Sequence, residues 1–339
     1  MNNQILAEDV RCFAEKFELR EFFRGMSFLI TGATGLIGSV LIRCLLAFDE
    51  DVRIIAPVRN EEKARSIFGK DAVRIELITC DLLAFNYNSL GTVDYVIHCA
   101  APTASKFFVE HPVETFDTIL RGTSLLLEYA RQNPVKSFVY LSSLEVYGSI
   151  CDDSSPVKEE VQGYLDPIRV RSSYPMAKRA TENLCSLYNN EYGVPVKIAR
   201  LTQTTGAGIA NDDNRVIAQF SRLAAEGKDI VLYTSGEAAR PYCYTTDAIS
   251  AILFILLKGK SGEAYNVANE ETYISARGMA VYLREHFNPS INVRIEQNDN
   301  MGYAPVTKIR LNTEKLKALG WSPQYGLKEI FERLTASMK

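Results

Sequence analysis

The stretch that most limits what this chain can become is TGATGLIG, Thr31 to Gly38. It follows the apolar run SFLIT and opens the helical pattern GLIGSVLIRCLLAF. A strand, a glycine turn and a helix in that order form the first unit of a dinucleotide-binding fold. Gly32 permits the tight turn, Gly35 lets backbone approach a pyrophosphate, and Gly38 allows the helix to pack closely on the strand. Thr34, Leu36 and Ile37 complete the turn at the helix N-terminus, where unpaired N–H groups and the helix dipole favour phosphate.

The rest of the chain repeats the alternation. VRIIAPV, VRIELITC, VDYVIHCAA, KSFVYLSS and PVKIARL read as strands, separated by helical patterns that include a long one from His111 and another across YPMAKRATENLCSLYNNEYG. The strands are short continuous apolar runs, as expected for a parallel sheet covered on both faces. The expectation is therefore an α/β doubly wound parallel sheet, a Rossmann fold, with a smaller mixed α/β substrate region on the C-terminal side. Residues 1–25 are expected to form a helical extension and 26–200 the dinucleotide-binding domain, with 241–270 partly returning to it. Residues 201–240 and 271–339 are left for the substrate.

Composition narrows the function. A net charge of −3 gives no reason to expect nucleic acid or an anionic membrane surface. Seven scattered cysteines without a CxxC pair point to a reducing, cytoplasmic setting rather than a disulfide frame or structural zinc. His98, His111 and His286 are too far apart to suggest a metal site. MNNQILAEDV lacks the pattern of a signal peptide, and AISAILFILL is too short to span a bilayer.

Chemistry enters at two further places. In YLSSLEVYG, Ser143 and Glu145 close an apolar strand, with Leu144 between them. In YPMAK, Tyr174 and Lys178 stand four residues apart on one helix face, where an ammonium is expected to lower the phenol pKa. Tyr174 could then exchange a proton with a substrate oxygen that Ser143 hydrogen-bonds, while Lys178 holds the nicotinamide ribose. After IIAPV stand Arg59 and Asn60, where chains selective for NAD place an acid on the ribose hydroxyls. An arginine there suits the extra phosphate of NADP(H), which is favoured over NAD(H).

With these motifs in place, the chain resembles the extended short-chain dehydrogenase/reductases, the NAD-dependent epimerase/dehydratase family, from about residue 26 to its end. EVYG, GYLDPIRVRSSYPMAKRATENLC, NRVIAQF, YCYTTD and LGW are similar to the UDP-glucuronate decarboxylases and dTDP-glucose 4,6-dehydratases of that family. The resemblance implies that Asp81 and Leu82 hold the adenine and that Ala100 and Ala101 line the cofactor cleft. It implies a nucleotide-sugar substrate met by Thr103, Gln203 and Arg240, with Arg215 and Val216 near the nucleoside. It also implies a homodimer built on the helices around 112–131 and 174–192.

The chain departs from those branches where their reactions are decided. Leu144 stands where the dehydratases carry an acid and the decarboxylases a serine. Gln203 and Ile119 stand where asparagines are usual, and both Lys308 and Arg310 remain open as counterparts of the decarboxylases' carboxylate-binding arginine. A site that retains Ser143, Tyr174 and Lys178, lacks the elimination acid and takes NADP(H) is expected to be a net reductase of a keto group on a CDP- or UDP-linked sugar. Glu145 then either holds a substrate hydroxyl or pairs with a nearby arginine such as Arg171. The alternatives are an NAD-dependent 4,6-dehydratase, decarboxylase or epimerase and, in another class, a cofactor-binding regulator without catalysis.

Overall fold

The computed structural model describes residues 3–48, 51–210, 212–297 and 306–338. Its first six strands are β1 (Ser27–Thr31), β2 (Arg53–Val58), β3 (Ile75–Thr79), β4 (Tyr95–His98), β5 (Ser137–Ser143) and β6 (Val196–Leu201). Six shorter or later ones follow: β7 (Gln203–Thr205), β8 (Ile230–Leu232), β9 (Ala239–Tyr244), β10 (Ala264–Val267), β11 (Asn269–Ser275) and β12 (Val293–Ile295).

Seven of them form one parallel sheet in the order β10-β6-β5-β4-β1-β2-β3. The chain winds outward in both directions from β1 and β4, so the crevice between their carboxyl ends is the switch point where such sheets bind ligands. The continuous apolar strands are explained by what covers them. Phe28 and Ile30 of β1 pack into a core with the helices Leu36–Ala47 and Thr245–Lys258, while Leu29 packs with Pro112–Gln132 and Ser173–Tyr192 on the opposite face.

β7, β9 and β11 form a second, mixed sheet, and β8 pairs with β12. The helices Val216–Glu226, Ala276–His286 and Leu327–Ser337 enclose a separate apolar core there. The N-terminal segment forms a helix, Asn3–Lys16, followed by the single turn Arg20–Phe23. Its Phe13 and Phe17 stack with Phe48 and join the main core. Asp9 is buried and accepts hydrogen bonds from Tyr244 and Arg333, tying this helix to both β9 and the C-terminal helix. Among the described residues no helix is long and apolar enough to cross a membrane.

Candidate active site

The glycine turn sets the first wall. Gly32 has φ +70°, and a Cβ there would stand 2.7 Å from Ala100 N, so β1 and the end of β4 approach each other only because this residue is glycine. At Gly38 a Cβ would lie 2.3 Å from Gly32 O, inside the helix–turn contact. Gly35 differs: it is exposed, and a Cβ would meet only Gly32 O at 3.4 Å. The fold therefore uses Gly32 and Gly38 for itself and leaves Gly35 as open backbone at the N-cap of Leu36–Ala47. That is a cradle a pyrophosphate fits, on a helix start whose first N–H groups lack intrahelical partners. Thr34, Leu36 and Ile37 are half-buried around it.

Arg59 and Asp81 follow β2 and β3, held side by side by the Cys80 N–H bond to Val58 O at 3.0 Å. Arg59 is exposed and free of hydrogen-bond or ion-pair partners among the described residues. Asp81 accepts from Leu83 N at 2.9 Å, and Leu82 packs at the edge of the apolar core. Ala100 and Ala101 are half-buried, and Thr103 is exposed just before the short helix Ser105–Glu110.

At the end of β5, Ser143 Oγ caps the turn Leu144–Tyr147 by accepting from Glu145 N at 3.2 Å. Tyr174 sits in the first turn of Ser173–Tyr192, where Pro175 is tolerated because its missing N–H needs no intrahelical partner. One turn later, Lys178 is buried, donates to Leu141 O at 2.7 Å and lies 5.7 Å from the Tyr174 ring centroid.

Burial and the charge of Glu145 hold the Tyr174 phenol well above its ordinary value, against a smaller downward pull from Ser143 and Arg171. This corrects the sequence expectation of a phenol lowered by Lys178. Spacing showed the ammonium on the same face but not the burial that raises the phenol. Burial also pushes Lys178 down to about 8, opposed by the Glu182 carboxylate.

Three features surround Tyr174, of which the sequence offered only the second, and that as one of two options. Phe108 stacks on the Tyr174 ring at 4.3 Å with planes 8° apart, and Ile119 packs in the same apolar cluster. Arg171 forms a two-pronged ion pair with Glu145 at 3.1 and 3.3 Å and lies over the Phe108 ring. Of the two roles open to Glu145, the structure thus displays the arginine partnership. Finally, Glu182 and Arg200 form a buried pair at 2.6 Å behind Lys178. Its only sequence signal was Glu182 standing four residues after Lys178. Leu144 is buried in an apolar cluster with Val146, Tyr147, Val157 and Ile309, and its side chain has no polar atom.

The other sequence-predicted residues gather on the small sheet. Gln203 of β7 is in register with Tyr242 of β9, and the charges of Arg240 and Arg215 both act on Tyr242. Arg240 donates to Thr307 at 3.5 Å, whereas Arg215 grips Asp213 at 2.8 Å and donates to Thr204 O just ahead of Val216. Lys308 pairs with Glu237 and Arg310 lies over Tyr273. His98 is bonded through Nδ1 to Thr31 at 2.6 Å, while its buried Nε2 has no partner, so it is only half satisfied. Among the described residues no group of three or more His, Cys, Asp or Glu side chains is placed to hold a metal ion.

Comparison with known proteins places this geometry. The model of the NAD dependent epimerase/dehydratase family matches residues 28–268. UDP-glucuronic acid decarboxylase 5 of Arabidopsis thaliana is 29% identical over 311 residues, covering 90% of this chain and 86% of that one. Among solved structures, the UDP-glucuronic acid 4-epimerase of Bacillus cereus in complex with UDP-glucuronic acid and NAD superposes with a TM-score of 0.78 at 21% identity, covering 92% of this chain and 99% of that one. RMD from Pseudomonas aeruginosa, complexed with NADPH, gives 0.73 at 22% identity, covering 92% and 98%. At such identities the two structures establish the shared fold.

Proposed function

The chain belongs to the NAD dependent epimerase/dehydratase family, and from that premise we propose that it is an NADP(H)-dependent reductase of a keto group on a nucleotide-linked sugar. Bound NADPH supplies the hydride for the carbonyl carbon. Tyr174 gives its phenolic proton to the carbonyl oxygen, and Ser143 donates a hydrogen bond to that oxygen. Lys178 holds the nicotinamide ribose and keeps a positive charge beside the phenol. Gly35 with Thr34, Leu36 and Ile37 cradles the pyrophosphate, Asp81, Leu82, Ala100 and Ala101 line the cofactor cleft, and Arg59 takes the additional phosphate.

The observation that carries this reading is the apolar burial of Leu144. A dehydration needs an acid for the leaving hydroxyl, and Leu144 supplies none. Two further observations support it. Burial and Glu145 keep Tyr174 protonated, the form that reduction consumes. The residue directly after β2 is Arg59 rather than the acid that NAD-selective chains place on the ribose hydroxyls.

On the substrate side, Arg240, Arg215, Val216, Gln203 and Thr103 hold the sugar nucleotide, with a CDP- or UDP-linked ketose as the candidate. In this reading 26–200, with part of 241–270, serves the cofactor, and 201–240 with 271–339 serves the sugar nucleotide. The enzyme works as a cytoplasmic homodimer.

A second reading has one specific observation behind it: the likeness to UDP-glucuronic acid decarboxylases. Such an enzyme would retain NAD and oxidise and re-reduce one sugar, with Glu145 active after release from Arg171. The test is to denature purified protein, identify any nicotinamide cofactor released, and titrate the native protein with NADPH and NADH before offering UDP- and CDP-linked keto sugars and UDP-glucuronic acid. Exchangeable NADPH with reduction of a keto sugar supports the proposal. Retained NAD with carbon dioxide release from UDP-glucuronic acid overturns it in favour of the second reading.

A further inference from the structure

Behind the proton-handling side chains lies a buried polar assembly that no motif named. Glu182 and Arg200 are both less than a tenth exposed. Arg200 grips the Glu182 carboxylate through Nε at 3.0 and 3.1 Å and through Nη2 at 2.6 Å. Ser142 Oγ donates to the same carboxylate at 2.5 Å. The free edge of the guanidinium donates to the Tyr147 hydroxyl at 3.0 Å and to Glu159 O at 2.7 Å, and Tyr147 in turn donates to Asn266 Oδ1 at 2.6 Å.

Each contact lands beside a site residue. Ser142 precedes Ser143 on β5. Glu182 stands one and two turns beyond Lys178 and Tyr174, on the same helix face. Tyr147 ends the turn that begins at Leu144 and carries Glu145. Arg200 itself lies on β6, next to β5 in the sheet.

We propose that Glu182 and Arg200 are positioning residues for the reaction: their ion pair locks the strand ending in Ser143, the helix presenting Tyr174 and Lys178 and the turn carrying Glu145 into one arrangement, and Glu182 is the counter-charge of the Lys178 ammonium. A surface ion pair could not do this, because two solvated side chains hold one geometry weakly. A buried pair with nearly every polar atom engaged holds it strongly. The groups facing Lys178 are few. Beta-strand β4 and the residue after it contribute neutral His98 and Cys99, β5 contributes the Tyr140 ring and Leu141 O, and its own helix contributes Tyr174, Cys185 and Glu182. Glu182 is the carboxylate among them.

The inference rests on the reading of Tyr174 and Lys178 as acid and ribose anchor, but its test does not need turnover. The Lys178 titration would be followed by NMR on the full chain carrying 13C-labelled lysine, with the signal assigned by Lys178→Met. In Glu182→Gln the Lys178 titration is expected to fall by on the order of one pH unit. Glu182→Asp, which retains the charge, should leave it near the wild-type position. Should Glu182→Gln fail to fold, the double variant Glu182→Gln/Arg200→Met removes both charges together and leaves neither buried alone; because the repulsion from Arg200 goes with the attraction from Glu182, a smaller downward shift is expected of it. An unmoved Lys178 titration in either folded variant overturns the proposal. Turnover measured alongside separates the two ideas: a wild type inert on every nucleotide sugar sinks the functional reading, while the titration still judges the pair.

Discussion

The two flanks of the site are built on opposite principles. Around the proposed proton-handling residues, Tyr174, Lys178, Glu182 and Arg200 are buried; Tyr174 stacks on Phe108, Lys178 is tied to backbone, and Glu182 and Arg200 to each other. On the flank proposed for the substrate, Arg215 and Arg240 are half-buried, as is Arg171 beside Tyr174, and each is occupied by a partner of the chain's own: Asp213, Thr307 and Glu145. A buried group cannot change partners cheaply, because the one left behind loses its compensation in a low-dielectric interior. A half-exposed arginine can exchange a carboxylate for a substrate phosphate at little cost, since water screens both states. Under the proposed reduction, the rigid flank would carry the proton chemistry and the exchangeable flank the choice of substrate.

Tyr174→Phe tests the rigid flank most severely. Removing the proton donor should lower turnover by about 10²–10⁴-fold. Cofactor titration should be unchanged, because the phenyl ring still stacks on Phe108. Retained turnover would sink Tyr174 as the acid. The wild-type rate should also fall as pH rises through about 8, where Lys178 loses its charge. The direction follows from the sign of the shift: a depressed lysine is protonated below its folded pKa and neutral above it. A pH–rate profile flat to pH 10 would contradict that role.

The glycine turn gives the next contrast, between glycines the fold consumes and the one it leaves open. Gly38→Ala drives a methyl to 2.3 Å from Gly32 O, and should destabilise the fold by about 1–3 kcal/mol, as overpacking does. Gly35→Ala meets ordinary contact at 3.4 Å and should melt with the wild type. Its dinucleotide affinity should nonetheless drop about tenfold, a loss of about 1.4 kcal/mol. Calorimetric melting paired with cofactor titration measures both; equal losses of stability in the two variants would erase the contrast.

On the exchangeable flank, Arg240→Met should raise KM for a nucleotide sugar about tenfold or more, the scale of a charged hydrogen bond, with little change in kcat. The wild-type KM should climb with salt and the variant's much less. A fall confined to kcat would move Arg240 out of the binding role.

What could be read from the sequence divides along the same line. The glycine turn, the strands of the main sheet and the Tyr174–Lys178 pair were legible because each is a local pattern, fixed by a few neighbours at helical or strand spacing. Contacts across long separations were not. Nothing in the string joins Glu182 to Arg200, or Phe108 to Tyr174; the fold does so by placing β6 beside β5 and the segment after β4 over the helix. The direction of the Tyr174 shift was misread for the same reason, since spacing reveals a neighbouring charge but not the solvent a side chain has lost. Arg171 was foreseeable as a partner for Glu145 only as one option, because a loop of unknown path separates them.

Arg59 belongs to neither flank, and its substitution is the mildest test. It is exposed, so whatever it contributes is screened, and Arg59→Ser should leave folding and NADH affinity unchanged. Against the additional phosphate of NADPH the guanidinium forms charge-assisted hydrogen bonds, and their loss should weaken NADPH about tenfold. The informative quantity is the ratio of the two affinities before and after substitution. A ratio that favours NADPH in the wild type and collapses in the variant makes Arg59 the selector and supports a cofactor that arrives reduced and leaves oxidised. A wild type with equal or tighter hold on NADH breaks the link between Arg59 and net reduction. Leu144 would then be an apolar residue in a site that recycles its own cofactor, and the Glu145–Arg171 pair would become the element to take apart next.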